Sequence, residues 1–318
     1  MDNTPIEDQN INDSGWLDVG DGHQIYWVDW GNKLVTEPIF YLHGGPGSGF
    51  SQSTFDKFNP ETQRVIFHDQ RGAGRSTPFA EIKNNTTDKL LADITKLKQH
   101  LGYEKISLYG FSWGSTLALL YAIAHPQVIN KMLIGGIYLA RAQENDYMFG
   151  GGVASHFPEV WQQFKQALPS DLPDDQVAAT CKQIFEGEDL ASKQALALAW
   201  TRYEASLLRL DYQANKVDSG LENYPYEPLA YLEAHYLLNG CFIEEDFIVN
   251  NAHKLAQVKQ IVIVQGRYDF VCPPKSAHDL FKAIDSANVK LQYVEAGHST
   301  SDIVNREVIK AYTTALWP

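Results

Sequence analysis

A five-residue pattern in the first half of the chain restricts the fold more than any other feature. Residues 110–114 read Gly-Phe-Ser-Trp-Gly, which matches G-x-S-x-G. The apolar run 105–109 before it is typical of a strand, and residues 115–124 after it have a helix-favouring composition. Where a strand turns sharply into a helix in this way, a strained turn lifts the serine hydroxyl off the sheet. The pattern therefore predicts that Ser112 is a nucleophile.

Strand and helix signals alternate along most of the chain. Residues 16–19 and 24–30 flank Asp21-Gly22 and predict an opening hairpin, because Asp-Gly readily adopts the positive φ of a tight turn. Further strands are predicted at 38–42, 64–67, 131–134, 260–265 and 289–294, and further helices at 87–101, 274–284 and 305–316. This alternation predicts an α/β fold with a mostly parallel central sheet flanked by helices.

The alternation stops between about residues 138 and 247. Helix-type segments such as 159–168 and 193–210 dominate there, separated by acidic and proline-rich turns. The sequence therefore predicts a catalytic α/β domain formed by residues 1–137 and 248–318, with a helical cap domain inserted at 138–247.

Composition excludes several classes of partner. Of the 318 residues, 44% are hydrophobic, so the chain can bury a sizeable core. The formal net charge is −13, from 26 basic and 39 acidic residues. Because nucleic acids and anionic membranes would meet a repelling surface, we expect neither as a partner. The sequence leaves the oligomeric state open.

Cysteine usage and the N-terminal segment predict a cytoplasmic protein. The three cysteines, Cys181, Cys241 and Cys272, are an odd number without C-x-x-C spacing, which argues against a disulfide framework or a zinc cluster. Residues 1–14 are polar and lack the layout of a signal peptide, and no apolar stretch reaches the roughly 18 residues of a membrane helix.

Two residues follow late strands at positions that suit partners of Ser112. A serine hydroxyl needs a base within hydrogen-bond reach and a third group that orients the base. In an α/β-hydrolase sheet these groups follow in the chain order Ser, Asp, His. Asp269 follows the predicted strand 260–265, and His298 follows the strand 289–294. The sequence therefore predicts a catalytic triad of Ser112, Asp269 and His298.

The glycine-rich segment 43–47, His-Gly-Gly-Pro-Gly, predicts one half of an oxyanion hole. In this fold the donors are the backbone N–H after the nucleophile, here that of Trp113, and one from the loop after an early strand. Gly45 is the candidate for the second donor. Losing one such donor typically costs on the order of a hundredfold or more in turnover.

Other chemistry fits the sequence poorly. The dinucleotide fingerprint G-x-G-x-x-G, the phosphate loop G-x-x-x-x-G-K-[ST] and the zinc motif H-E-x-x-H do not occur. His43, His68 and Asp69 match the spacing of no usual metal site, so we interpret them as loop-structuring residues. We therefore expect neither a metal nor a cofactor.

Taken together, these stretches resemble the proline iminopeptidases, serine peptidases of the α/β-hydrolase fold. The matching segments are 43–47, Asp-Gln-Arg-Gly-Ala-Gly-Arg-Ser at 69–76, Ser-Trp-Gly-Ser-Thr-Leu-Ala-Leu at 112–119, Gly-Arg-Tyr-Asp at 266–269 with Cys272-Pro273, and Ala-Gly-His-Ser at 296–299. The resemblance implies release of an N-terminal proline from peptides, with Ser112 as nucleophile, Asp269 as orienting acid and His298 as base.

The resemblance also implies how the substrate binds. The family binds the free amino group of the substrate with glutamates from its helical cap, and the stretches 199–204 and 232–236 carry that role onto Glu204 and Glu233. Each charge-assisted hydrogen bond of this kind is worth about 1.5–3 kcal/mol. Candidate apolar walls for the proline ring are Tyr138, Phe149 and Tyr236.

The chain departs from the family pattern mainly around the substrate pocket. Phe111 stands where a second glycine is usual, Tyr203 where tryptophan is common, and Gly135-Gly136 lies in a segment that is more charged in the family. Two alternatives follow on the same scaffold: a small-molecule esterase or amidase, and an aminopeptidase of broader specificity. A third alternative is a ligand-binding α/β-hydrolase without catalysis.

Overall fold

The computed structural model describes residues 4–222 and 225–318. Its strands in chain order are β1 (Ile11–Gly20), β2 (His23–Gly31), β3 (Ile39–Leu42), β4 (Arg64–His68), β5 (Ile106–Phe111), β6 (Ile129–Gly135), β7 (Gln260–Gly266) and β8 (Val289–Val294). They form one sheet in the order β1-β2-β4-β3-β5-β6-β7-β8.

The sheet begins with an antiparallel hairpin and continues as a parallel sheet. β1 and β2 pair as predicted, and Gly20, Asp21 and Gly22 have φ values of 86°, 58° and 81° in the turn between them. β2 is antiparallel to β4, and every neighbouring pair from β4 to β8 is parallel. The carboxyl ends of the parallel strands therefore meet at one edge, where ligands bind in open α/β sheets. The predicted fold class is confirmed.

Helices cover both faces of the sheet. In chain order they are α1 (Thr87–His100), α2 (Trp113–Ala124), α3 (Ala142–Phe149), α4 (Pro158–Lys165), α5 (Val177–Glu186), α6 (Leu190–Leu207), α7 (Ala214–Leu221), α8 (Tyr226–Leu237), α9 (Phe247–Asn251), α10 (Pro274–Ile284) and α11 (Ile303–Leu316). No helix among residues 4–222 and 225–318 is long and apolar enough to cross a membrane.

Successive residues of the central strands belong to two different hydrophobic clusters. On β4, Ile66 belongs to the cluster that includes side chains of α1, α2 and α10, whereas Val65 and Phe67 belong to the cluster that includes side chains of α11. Strand side chains point alternately to opposite faces, so both faces of the sheet are covered. The helix after Ser112 is buried on nearly every residue, which fixes it rigidly against the sheet.

Between β6 and β7 the described residues form helices and connecting turns, and this insertion has a hydrophobic cluster of its own. Large aromatic side chains dominate it: Phe149 on α3, Trp161 and Phe164 on α4, and Trp200 and Tyr203 on α6. The rings of Phe149 and Trp200 stack with centroids 4.3 Å apart. Because α6 also packs against α8, this cluster sets the relative position of the side chains that the two helices carry.

Candidate active site

Ser112 occupies a strained turn between β5 and α2. Its backbone angles are φ 56° and ψ −130°, a conformation that residues other than glycine rarely adopt. The glycines on either side are required by close packing. A Cβ atom at Gly110 would lie 2.2 Å from the carbonyl oxygen of Gly114, and one at Gly114 would lie 2.1 Å from that of Leu42. The pattern G-x-S-x-G therefore forms the sharp turn that the sequence predicted.

Phe111, the departure inside this turn, is accommodated by Gly135 on the neighbouring strand. The two residues are register partners between β5 and β6. A Cβ atom at Gly135 would lie 2.4 Å from Cε1 of Phe111, and the Phe111 ring also packs against Tyr109 with centroids 5.2 Å apart. The bulky residue therefore fills the space that a glycine leaves on the next strand, and the serine turn keeps its shape.

Asp269 and His298 lie after β7 and β8 and form a hydrogen-bonded pair. Nδ1 of His298 and Oδ2 of Asp269 are 2.8 Å apart. Oδ1 of Asp269 accepts hydrogen bonds from the backbone N–H groups of Val271, at 3.0 Å, and Cys272, at 2.7 Å. The side chain of Gln265 donates to Oδ2 at 3.2 Å. These contacts hold the buried carboxylate in one orientation, from which it can orient the imidazole.

Ser112 and His298 approach each other beside Gly136. A Cβ atom at Gly136 would lie 3.1 Å from Cε1 of His298 and 3.4 Å from the backbone nitrogen of Ser112. Burial by itself lowers the pKa of His298, but the charge of Asp269 and its hydrogen bond raise the pKa well above its ordinary value. The arrangement therefore favours the imidazolium that forms when a histidine takes a proton from a serine.

The two predicted oxyanion donors face the same space. Trp113 is the first residue of α2, so its backbone N–H has no acceptor within the helix. Gly45 lies in the loop after β3 and lines the cavities at Ser112. A Cβ atom at Gly44 would be 3.5 Å from Cβ of Ser112, which shows how closely this loop approaches the serine.

The imidazole of His43 bonds within the same loop region. Its Nε2 atom accepts a hydrogen bond from the backbone N–H of Gln70 at 2.9 Å, and its Nδ1 atom lies 2.9 Å from the carbonyl oxygen of Gly44. Burial lowers the pKa of His43 to about 4. Within residues 4–222 and 225–318, no group of three or more His, Cys, Asp or Glu side chains could hold a metal ion.

Glu204 on α6 and Glu233 on α8 meet above Ser112. Oε2 of Glu233, which is 2% exposed, accepts a hydrogen bond from the indole N–H of Trp200 at 2.9 Å. Burial raises the pKa of both carboxyl groups. The hydrogen bond between them lowers the pKa of Glu204, whereas the charge of Glu204 and that bond raise the pKa of Glu233 well above its ordinary value. Glu233 therefore holds its proton more tightly than Glu204, which is the member of the pair that ionises first.

A narrow recess of about 500 Å³ extends from Ser112 into the helical insertion between β6 and β7. Glu204 and the sulfur-bearing Cys272 line it, and its other walls are mainly apolar: Tyr138, Met148, Phe149, Trp200, Tyr203, Leu237 and Val271. Two of the candidate walls, Tyr138 and Phe149, are thus among the residues that line this recess.

Tyr236 requires a correction, because it is not among the residues that line this recess. Its ring packs against Trp113 with centroids 5.0 Å apart, and its hydroxyl donates to the side-chain oxygen of Asn85 at 2.6 Å. The residue supports the serine turn from behind. Residues 232–236 lie on α8, where Glu233 lines the wide cavity at Ser112 and Tyr236 packs against Trp113, a difference that a linear motif does not reveal.

A second, wider cavity of about 1680 Å³ also opens at Ser112. It lies between the chain that follows α6, including Leu208 and Arg209, and the loop of His298 to Thr300. Glu204 and Glu233 line it as well. The serine therefore stands between a narrow apolar recess and a wide opening.

Sequence reasoning missed the contribution of Trp200, and it noted Tyr203 only as a departure from the family pattern. Trp200 binds Glu233, and both aromatic rings line the recess. A signal was present, because positions 200, 203, 204 and 207 share one face of a helix. The helical spacing could have grouped Trp200 and Tyr203 with Glu204 before the structure was known.

The fold and the sequence together place the chain among the α/β hydrolases. Residues 37–302 match the family described as alpha/beta hydrolase fold. Solved structures with this fold include an esterase from Exiguobacterium antarcticum (TM-score 0.63, 18% identity, 95% of this chain and 98% of the other). They also include the proline iminopeptidase of Mycobacterium smegmatis (TM-score 0.59, 17% identity, 95% and 98%).

Within the α/β hydrolases, the chain belongs to the proline iminopeptidase family. It is 38% identical to a proline iminopeptidase of Arabidopsis thaliana over 94% of this chain and 77% of that protein. It is 39% identical to one of Neisseria gonorrhoeae over 91% of both chains. It is also 38% identical to one of Xylella fastidiosa over 95% of both chains.

Proposed function

We propose that the protein is a serine aminopeptidase that releases an N-terminal proline from peptides, and that residues 138–247 act as its cap. The observation that carries this proposal is the position of Glu204 in the wall of the apolar recess beside Ser112. A peptide amine held by Glu204 can extend only a short way before its first carbonyl group reaches the serine. The recess therefore selects the first residue of a peptide, as the names of the relatives suggest.

The charge of the site supports a cationic substrate. Glu204 ionises before Glu233, and the resulting anion in a buried pocket needs a compensating cation. The secondary ammonium of an N-terminal proline has two N–H donors for these carboxyl groups. The aromatic walls of Phe149 and Tyr138 suit the methylene groups of its ring.

The reaction follows from the positions of Ser112, His298 and Asp269. Oγ of Ser112 attacks the proline carbonyl carbon and gives its proton to Nε2 of His298, while Asp269 stabilises the imidazolium. The N–H groups of Trp113 and Gly45 bind the resulting oxyanion. His298 then passes the proton to the leaving nitrogen as the C–N bond breaks. Water attacks the acyl-enzyme, gives a proton to His298, and releases proline as Ser112 regains its proton.

The wide cavity supports a leaving group of open length. It includes Ser112 and His298 in its lining and continues past Arg209 and Lys216. A departing peptide can extend through it without meeting a closed wall. The narrow recess therefore admits a single residue on the acyl side of the cleaved bond, whereas the wide cavity admits leaving groups of different lengths on the other side.

A panel of aminoacyl arylamides with N-acetylated controls tests the proposal. We expect the prolyl arylamide to be hydrolysed best, and N-acetylation to remove most of the activity because the amide nitrogen can no longer carry the positive charge. Equal hydrolysis of free and blocked substrates would instead favour a small-molecule esterase or amidase. Broad activity on other free N-terminal residues would favour an aminopeptidase of wide specificity.

A further inference from the structure

The stretch Asp69-Gln70-Arg71, which has no role in the reaction described above, lies directly behind the oxyanion hole. Gln70 is two residues beyond the end of β4, and it is 4% exposed. In the sheet, β4 lies next to β3, and β3 lies next to β5. The loop with Gly45 follows β3, and the turn with Ser112 follows β5. A side chain that leaves the end of β4 can therefore reach both segments at once.

Gln70 makes hydrogen bonds to both of these segments. Its Nε2 atom donates to the carbonyl oxygen of His43 at 2.9 Å, and its Oε1 atom accepts from the indole N–H of Trp113 at 3.0 Å. Its backbone N–H donates to Nε2 of His43. The 2.9 Å contact to Nε2 is shorter than the 3.3 Å contact from the backbone N–H of Gly49 to Nδ1, so we place the proton of neutral His43 on Nδ1, where it can donate to the carbonyl oxygen of Gly44.

The residues on either side hold Gln70 in place. The carboxylate of Asp69 accepts hydrogen bonds from the backbone N–H groups of Phe50, at 2.8 Å, and Arg75, at 2.9 Å. Arg71 forms a buried ion pair with Asp93, with Nε and Oδ2 2.6 Å apart. A side chain between two such anchors has little freedom, so it can fix the distance between the groups that it joins.

We propose that Gln70 is a positioning residue that sets the separation of the two oxyanion donors, Gly45 and Trp113. This inference rests on the proposed function, in which those N–H groups bind the oxyanion. One end of the Gln70 amide holds the strand end that leads into the Gly45 loop, and the other end holds the indole of Trp113. Gln70 touches neither the substrate nor the oxyanion, so it acts on the transition state through the geometry of the donors.

The test is Gln70→Met, which keeps the length of the side chain and removes both side-chain hydrogen bonds. Deleting one oxyanion donor costs about 10²–10³ in kcat, so displacing the donors should lower kcat for a prolyl arylamide by about 10- to 100-fold. KM should stay within about threefold, because oxyanion contacts strengthen only in the transition state.

Two ligands separate a positioning role from a general structural one. A prolyl boronic acid forms a tetrahedral adduct on a serine, and its affinity should fall by about the same factor as kcat. L-Prolinol has the ring and the amine but no carbonyl oxygen, so its affinity should not change. Equal losses of affinity for the two ligands in Gln70→Met, or a kcat of that variant within twofold of the wild type, would overturn the proposal.

Gln63→Met is the matched control. Gln63 is 2% exposed, and its side chain donates to the carbonyl oxygens of Thr313 and Trp317 at 3.3 and 2.8 Å, far from Ser112. We expect this variant to lose stability, as Gln70→Met does, but to keep its kcat and its affinity for the boronic acid. A drop in kcat equal to that of Gln70→Met would show that any lost buried glutamine has this effect.

Trp113→Phe approaches the same contact from the other end, since it removes the indole N–H and retains the backbone donor. Combined with Gln70→Met, it should lower kcat little beyond the worse single variant, because both substitutions break the same hydrogen bond.

If Gln70→Met does not fold, Trp113→Phe provides the test by itself, and a kcat equal to that of the wild type in Trp113→Phe would contradict the proposal. If the wild type does not cleave prolyl arylamides, the proposed function fails, and the rate of fluorophosphonate labelling of Ser112 replaces kcat in each comparison.

Discussion

Replacing Glu204 by glutamine should weaken the use of a prolyl substrate while leaving the chemistry at Ser112 intact. Of the two carboxyl groups, Glu204 ionises first, because burial and the charge of Glu204 raise the pKa of Glu233 further. Glutamine at position 204 removes that charge. It also removes the charge that raises the pKa of Glu233, and its amide can donate a hydrogen bond to the neighbouring carboxylate. Burial still raises the pKa of Glu233, but the ammonium of a bound substrate opposes that effect, so Glu233 should ionise when the substrate binds and supply one displaced anion.

The size of the loss follows from the number of anions left. A hydrogen bond to a charged group is worth about 1.5–3 kcal/mol, and 1.4 kcal/mol corresponds to a factor of ten. For Glu204→Gln we expect the low end, about a tenfold decrease in kcat/KM. The double variant with Glu233→Gln retains no anion, so its loss should reach at least about 100-fold. Glu233→Gln alone keeps the charge on Glu204 and should cost only about 2- to 12-fold, the effect of one neutral hydrogen bond.

The assay compares kcat/KM for a prolyl arylamide with kcat/KM for a small neutral ester in all three variants. The ester has no cation, so its cleavage should remain within about twofold of the wild type in each variant. Equal losses on both substrates would remove the anchoring role of the carboxyl groups. A double variant no worse than Glu204→Gln would contradict the transfer of charge to Glu233.

Three further predictions concern the groups at Ser112 and the stability of the fold. Ser112→Ala should abolish hydrolysis of prolyl arylamides without altering the circular dichroism spectrum; retained turnover would refute the nucleophile. Asp269→Asn should lower kcat by about 10³–10⁴-fold, as in other serine triads. It should also move the acidic limb of the pH profile of kcat/KM to lower pH, because the charge of Asp269 raises the pKa of His298. An acidic limb at the same pH as in the wild type would contradict that cause. Glu233→Gln should raise the melting temperature more at pH 8 than at pH 4. In the unfolded chain a glutamate loses its proton near its ordinary pKa of about 4.3, whereas in the native state Glu233 keeps its proton to higher pH. The free energy of unfolding of the wild type therefore falls as pH rises from that value to the native pKa. An equal shift of the melting temperature at both pH values would argue against a protonated Glu233.

Much of the fold was accessible from local patterns. The hairpin at Asp21-Gly22, the strands and the flanking helices were predicted to within a few residues, because turn chemistry and periodic burial are written into neighbouring positions. The boundaries were less accurate. The helix after Ser112 begins at Trp113 rather than at residue 115, since the strained serine turn itself starts the helix.

The pairing of Asp269 with His298 was also accessible, because both follow neighbouring parallel strands whose carboxyl ends share an edge. The roles of Glu204 and Glu233 came from the family resemblance. The misplacement of Tyr236 shows the limit of such reasoning, since position along a helix does not reveal which face meets the substrate. The accommodation of Phe111 by Gly135 likewise depends on the register between two strands.

The sequence by itself determined the order of elements, the serine turn and the set of residues from which a site could form, because each depends on neighbours along the chain. Only the tertiary structure decided how the parts meet. Packing of α6 against α8 brings two carboxyl groups close enough to share one proton. The side-by-side ends of β4, β3 and β5 let Gln70 bond both to His43, which precedes the loop with Gly45, and to the indole of Trp113. Both results depend on distances between segments remote in the sequence, and only the packed core sets those distances.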